Sequence, residues 1–75
     1  MKSTIRLKRE AFRKAALLAG YTSVYGLAQA MNVNRSNVMR VLEGTSRPGI
    51  PFIAGTLRVL KPYTFEDLFE VVTCS

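Results

Sequence analysis

Residues 23–44, SVYGLAQAMNVNRSNVMRVLEG, decide the fold of this chain. Their apolar residues recur at intervals of three and four, the spacing that places side chains on one face of an α-helix. The pattern predicts two short helices, at residues 24–31 and 35–42, joined by a tight turn at Asn32-Val33-Asn34. Gly26 weakens the first of these helices, so packing against the rest of the chain must hold it.

Small, polar and glycine residues stand where such a helix pair needs them. Ser23 and Asn34 are suited to N-cap the first and the second helix, and Gly44 is suited to end the second. Ala28 is the small residue expected where the two helices cross, and Asn32 tolerates a left-handed backbone. The residues expected to face inward are Leu27, Met31, Val33, Val38, Val41 and Leu42.

The two ends of the chain are predicted to pair as strands. Residues 4–8 alternate polar and apolar side chains, and residues 69–73 are rich in β-forming types, with Phe69 and Val71 on one apolar face. Because an isolated strand at either end would be unstable, residues 5–7 are expected to pair with the second strand. A helical start is the alternative for the first segment.

A further helix is expected before the central pair, at about residues 9–18. Its basic residues Arg9, Arg13 and Lys14 fall on the side opposite the apolar positions. Gly20 is placed to end the helix in a left-handed cap. The residues at inward spacing are Phe12, Ala15, Ala16 and Ala19.

Two more helices are expected after the central pair. One begins near Pro51, which suits a first helical turn, and is stopped by Pro62. Thr64 and Asp67 match a capping box that opens a last short helix through Phe69. The residues expected to face the core are Ile53, Leu57 and Leu60, together with the aromatic Phe52, Phe65 and Phe69.

Size and charge narrow the classes of function. A chain of 75 residues is expected to form one domain with little room for an enclosed substrate cavity, which argues against an enzyme. Lys and Arg outnumber Asp and Glu by 11 to 5, and the formal net charge of +6 favours an anionic partner. With no histidine and Cys74 as the only cysteine, we expect no metal, cofactor or disulfide.

The residues of the central pair carry a resemblance to a known family. The run is Leu27-Ala28-x-x-Met31-x-Val33-x-Arg35-Ser36-x-Val38-x-Arg40-Val41-x-x-Gly44, followed by Pro48 and by Phe65-x-Asp67-Leu68-Phe69. It resembles the lambda-repressor/Cro-type helix-turn-helix family of phage and bacterial regulators, over roughly residues 9–69. The resemblance implies a compact, mainly α domain of five helices, with the short paired terminal strands of small single-domain phage-type regulators.

The same resemblance implies a sequence-specific transcriptional regulator, Cro-like or repressor-like, that reads operator DNA with a recognition helix at about 35–42. The residues expected to meet base edges are Arg35, Ser36, Met39, Arg40, Asn34 and Asn37. Those expected to contact phosphates are Ser23, Tyr25, Thr45, Ser46 and Arg47. For Met39, an exposed side chain without a contact is an equal alternative, and for Tyr25 packing within the protein is one.

One such helix reads too few base pairs for selectivity, so a homodimer on two half-sites is expected. Tyr63 and Val72 are the best candidates for the dimer interface. The apolar run at residues 15–20 is too short for a secretory signal or a membrane span. We therefore expect a protein of the cytoplasm, in a bacterial cell or a phage-infected host.

A second class of function stays open. Members of the family often carry Gln at the place of Val24, where it touches a phosphate. The chain also ends in an acidic stretch without basic residues, from residue 64 onward. Both features fit an antirepressor or modulator that uses the same fold to bind another regulator protein.

Overall fold

Five short helices and two terminal strands make up residues 2–74, the part of the chain that this computed structural model describes. In chain order they are β1 (Lys2–Leu7), α1 (Arg9–Leu18), α2 (Val24–Met31), α3 (Arg35–Glu43), α4 (Ile50–Val59), α5 (Phe65–Leu68) and β2 (Phe69–Cys74). The fold is mainly helical with a small antiparallel sheet, as predicted. Within residues 2–74, each helix is too short or too polar to cross a membrane.

The terminal strands β1 and β2 pair antiparallel, which confirms the prediction from their composition. The register runs from Lys2 opposite Cys74 to Leu7 opposite Phe69. Leu7 and Phe69 are buried, so this end of the sheet lies on the helices. Val71 is 62% exposed, so the apolar strand face that it shares with Phe69 is buried only at Phe69. It lies two residues farther along the strand, where the sheet extends beyond the core.

The first helix, α1, buries one apolar face and ends as expected near a glycine. Phe12, Ala15 and Ala16 are buried. Gly20 has a φ of 95°, in the left-handed region that glycine adopts without strain. Ala19, which was expected to face inward, is exposed because it is the C-cap residue and follows the last helical turn.

The turn between α2 and α3 contains the left-handed residue that the sequence predicted. Asn32 has φ and ψ of 59° and 42°, and its N–H donates to the Gln29 carbonyl at 3.1 Å. The N–H of Val33 donates to the carbonyl of Ala28 at 3.0 Å. These bonds pair carbonyl groups that would otherwise be left without partners at the end of α2.

The helix α4 buries Phe52 as predicted, but the side that Ile53 and Leu57 indicate is not the one that it turns to the core. Leu60 is buried as predicted, but Ile53 and Leu57 are only half-buried. The buried residues of the helix itself are Phe52, Gly55 and Thr56. The inward face is therefore rotated by about one residue, or about 100°.

An aromatic cluster explains this rotation. The Phe52 ring stacks on Phe12 with centroids 5.7 Å apart and meets Phe69 edge-on at 6.3 Å. Phe65 stacks on Phe69 at 5.2 Å, although Phe65 itself is only half-buried. A buried aromatic ring removes more apolar area from water than Ile53 would at the same place, so the ring determines which face turns inward.

Thr56 is fully buried, and its hydroxyl has no hydrogen-bond partner among the residues that the structure describes, 2–74. Because a buried hydroxyl without a partner destabilises the folded state, we expect Thr56→Val to raise the free energy of unfolding by about 1 kcal/mol. Urea unfolding of both proteins measures this change. The matched control Thr22→Val, at an exposed position, should change stability little. A clear loss of stability in Thr56→Val would contradict the expectation.

The capping box that opens α5 is present as predicted. The N–H and the hydroxyl of Thr64 both donate to the Asp67 carboxylate, at 2.9 Å and 3.0 Å. These two hydrogen bonds, with a small contribution from the charge of Lys8, hold the pKa of Asp67 below its ordinary value. The helix ends at Leu68, one residue earlier than expected, because Phe69 already has the extended backbone of β2.

This lowered pKa makes a prediction about acid stability. Asp67 contributes stability when its carboxylate is ionised, and the contribution is lost as the pH falls through its pKa in the folded protein. The thermal midpoint of the wild type should therefore drop more steeply than that of Asp67→Asn as the pH falls below about 3.9. Glu66→Gln, in the same turn, is the control. Parallel curves for the wild type and Asp67→Asn would contradict this role.

Candidate nucleic-acid interface

The helix α3 separates an apolar face from a polar one. Val38, Val41 and Leu42 are buried and lie within one sector of the helix, since successive residues turn by about 100°. Asn34 caps its start, with its side-chain oxygen accepting from the N–H of Ser36 at 2.9 Å. The residues exposed on the opposite side are Arg35, Ser36, Met39, Arg40 and Glu43.

Four of the residues predicted to read bases lie together on this exposed face. Arg35 and Arg40 are five residues apart, which places them about 7.5 Å apart along the axis and about 140° apart around it. Ser36 and Met39 lie between them, and Met39 is 41% exposed. The two guanidinium groups therefore border a polar face that projects from the body of the protein.

Asn34 and Asn37, also predicted to meet bases, are placed less favourably. The side-chain oxygen of Asn34 is occupied by its cap, so only its NH₂ group is available. The side chain of Asn37 is half-buried, and its backbone N–H donates to the backbone carbonyl of Asn34 at 3.0 Å. The structure thus gives Asn34 a capping role that competes with a contact to bases.

Glu43 was not singled out from the sequence, yet it lies near the middle of the exposed face. It follows Met39 by four residues and so lies one turn farther along the same side of α3. Its carboxylate would repel a phosphate but can accept a hydrogen bond from the amino group of cytosine. The spacing of four from Met39 is the sequence signal that identifies it.

The start of α2 presents polar groups beside α3. The hydroxyl of Ser23 accepts from the N–H of Gly26 at 3.1 Å and so caps the helix as predicted. Tyr25 is 57% exposed, so its ring does not belong to the core. Its hydroxyl accepts a hydrogen bond from Gln29 Nε2 at 3.0 Å. Gln29 was missed in the sequence, although its spacing of four from Tyr25 places both on one side of a helix.

The loop after α3 contains the other predicted phosphate contacts. The hydroxyl of Thr45 donates to the carbonyl of Arg40 at 3.2 Å, and the N–H of Ser46 donates to the same carbonyl at 3.3 Å. Ser46 is half-buried and Arg47 is exposed, followed by the buried Pro48. The structure therefore uses the Thr45 hydroxyl to end α3 and leaves Arg47 exposed to solvent.

An apolar groove of about 640 Å³ lies beside α3. Met39 lines it from α3, and Leu17, which is 65% exposed, lines it from α1. The other apolar residues around the groove are Phe12, Ala16, Tyr21, Val24, Leu27 and Leu42. Val24 thus borders this groove together with Met39 and Glu43 from the exposed face of α3.

The two residues predicted for a dimer interface lie in the C-terminal part of the chain, between α4 and α5 and in β2. Tyr63 is half-buried and packs against the core, and Val72 is half-buried in β2. Only part of each side chain is therefore available to a second molecule. Val71, the neighbour of Val72, is the more exposed residue of the strand.

Comparisons of this chain with protein families, with curated proteins and with solved structures give no match. The geometry of α2, α3 and the following loop is thus the basis on which a function is proposed.

Proposed function

We propose that α2 and α3 form a helix-turn-helix with which the protein binds double-stranded DNA in a sequence-specific manner. In this proposal the protein is a transcriptional regulator, Cro-like or repressor-like, and acts in the cytoplasm of a bacterial or phage-infected cell. α3 is the recognition helix, and its exposed face enters the major groove.

The observation that carries the proposal is the division of α3 into two faces. Its apolar residues are fixed in the core, while Arg35, Ser36 and Arg40 project outward from a helix capped at both ends. An arginine can bind the O6 and N7 atoms of guanine with two hydrogen bonds, and a serine can donate or accept. A single arginine on a helix is usually only solvated, but two bordering one projecting face favour base recognition.

Phosphate contacts would position this helix without specifying sequence. Arg47 in the loop after α3 and Tyr25 in α2 are the exposed candidates whose side chains do not already cap or end a helix, as those of Ser23 and Thr45 do. The hydrogen bond from Gln29 orients the Tyr25 hydroxyl, which keeps its own proton to donate to a phosphate oxygen. This pair is our candidate for the contact that the family makes with Gln at the place of Val24.

A homodimer on DNA completes the proposal, since a symmetric pair doubles the number of base pairs that are read. Its half-sites would be about 34 Å apart, one turn of the double helix. Tyr63 and Val72, with the exposed Val71 beside them, are the candidate contacts between the two molecules.

Titration of the isotope-labelled protein with a short duplex, followed by amide chemical shifts, tests the proposed face. We expect the shifts to concentrate at residues 23–25 and 34–47. Amide shifts that are confined to residues outside these two segments would contradict the proposed face. The absence of any amide shift with excess duplex would also contradict it. Lys61 and Lys14, exposed cations outside both segments, are internal controls for unspecific attraction.

The apolar groove beside Met39 supports a second candidate function, an antirepressor or modulator that binds another regulator protein. Exposed apolar surface next to a charged helix is typical of protein interfaces. Under this alternative the duplex leaves the α3 amides unshifted, and Leu17→Glu reduces binding of the partner regulator. The positive net charge and the arginine pair favour DNA over this alternative.

A further inference from the structure

A second basic site lies at the end of α3, in a cleft between β1 and the loop that follows α3. The cleft has a volume of about 550 Å³. Three arginines, Arg6, Arg9 and Arg47, are among its lining residues, and Glu43 is the single acidic residue among them. The lining thus carries a surplus of positive charge, and the three arginines come from three separate elements of the fold.

The arginine that begins α1 is held in place by the protein. Arg9 Nη1 donates to the carbonyl of Leu42 at 3.2 Å, which ties this guanidinium to the last turn of α3. An arginine has five N–H donors, so four of those in Arg9 are left for another partner. The bond also brings β1, which ends just before Arg9, close to the recognition helix.

The other two arginines belong to the two segments that line the cleft, β1 and the loop after α3. Arg6 is exposed on β1 and stands opposite Glu70 in the sheet register, and Arg47 is exposed in the loop. Pro48, which directly follows Arg47, is buried and so anchors this part of the loop to the protein. The three positive charges exceed the one negative charge of Glu43 in the lining, so an anion that pairs with arginines of the cleft would be stabilised there.

We propose that this cleft binds a phosphate group of the DNA backbone, on the flank of the groove that α3 enters. The proposal rests on the proposed function and extends the protein's contact with DNA from α3 to the N-terminal strand. Arginine side chains bind phosphate oxygens with pairs of parallel hydrogen bonds, and such contacts do not depend on the DNA sequence. The cleft is continuous with the loop of Thr45, Ser46 and Arg47, so a strand of DNA that touches this loop reaches Arg6.

Two measurements on the full chain test the cleft. The first is a titration with inorganic phosphate, followed by the amide shifts of residues 4–9 and 44–47. The second is the dependence of duplex affinity on salt. The variants are Arg6→Gln and Arg6→Gln/Arg47→Gln, and the matched control Lys14→Gln/Lys61→Gln removes two positive charges outside the cleft. Thermal unfolding of each variant verifies that it is folded.

We expect phosphate to shift the cleft amides of the wild type and not those of the double variant. We also expect the double variant to reduce the slope of log affinity against log salt by about one to two units, equally on every sequence. The control should keep the slope within about half a unit of the wild type.

Three results would overturn the proposal in distinguishable ways. No phosphate shifts, together with an unchanged salt slope, would remove the anion site itself. Phosphate shifts with an unchanged slope on a duplex that the wild type binds would assign the cleft to a small phosphorylated ligand. Phosphate shifts with no binding of any duplex would overturn the proposed function and, with it, the DNA backbone as the source of the phosphate.

Discussion

Arg35→Ala/Arg40→Ala is expected to abolish sequence-specific DNA binding while the protein stays folded. Each arginine that binds a guanine with two hydrogen bonds supplies about 1–3 kcal/mol of discrimination. Loss of both should therefore reduce the preference for the specific duplex by roughly thirtyfold to twenty-thousandfold. Both side chains are exposed, so their removal should change the free energy of unfolding by less than about 0.5 kcal/mol each.

The measurement compares the affinities of wild type and variant for a duplex that the wild type selects and for a random duplex. Lys14→Ala/Lys61→Ala, which removes the same charge from other exposed positions, is the control. It should change the affinities for the two duplexes little and by the same factor, because Lys14 and Lys61 lie outside the proposed DNA-binding face. Should Arg35→Ala/Arg40→Ala behave like this control, α3 would not be the element that reads bases.

Gly55→Ala is expected to lower the free energy of unfolding by about 2 kcal/mol, although alanine is the better helix former. A Cβ atom at Gly55 would lie 2.6 Å from the carbonyl oxygen of Met31 and 3.0 Å from its Cβ. The oxygen belongs to the backbone of α2 and cannot rotate away, so α4 and α2 would have to separate. For a protein of this size, whose total stability is about 4–11 kcal/mol, this is a large fraction.

Gly26→Ala is the matched control, because it makes the same change inside a helix. Its added Cβ would lie 3.3 Å from the Ser23 hydroxyl, a side-chain atom that can shift by a few tenths of an ångström. We expect its stability to stay within about 1 kcal/mol of the wild type. Denaturant unfolding measures the free energy of unfolding of both variants. Equal values would show that α2 and α4 can separate at Gly55 without a loss of stability.

The helix boundaries could be predicted because they depend on local chemistry. Ser23 and Asn34 accept hydrogen bonds from N–H groups two or three residues later, and Asn32 and Gly20 adopt the left-handed backbone that ends a helix. These requirements involve neighbouring residues alone, so the residue types reveal them. The capping box at Thr64 is of the same kind.

Burial of Phe52 in α4 was predicted, but the whole face that α4 presents to the core could not be predicted from the spacing of its aliphatic residues. Ile53 and Leu57 have helical spacing, but Phe52 and Gly55 lie inward because Phe12, Phe69 and the end of α2 meet them there. Which of two apolar faces is buried depends on partners that are distant in the sequence. Spacing within one helix carries no information about them.

The candidate site likewise has one part that the sequence predicts and one part that it does not. The outward direction of Arg35 and Arg40 follows from the burial of Val38 and Val41 on the other side of one helix, and the sequence predicts it. The cleft of Arg6, Arg9 and Arg47 brings together residues up to 41 positions apart in the sequence. It exists because the terminal sheet and the loop after α3 fold beside each other, which no local pattern indicates.

Selection of preferred sequences from a random pool of duplexes by the wild-type protein tests the central claim most directly. We predict enrichment of one sequence, with two half-sites in inverted repeat about one helical turn apart and guanines in each half-site. The same selection with Arg35→Ala/Arg40→Ala should lose the guanine preference. A pool that stays random after repeated rounds with the folded wild-type protein would contradict the claim that α3 reads DNA.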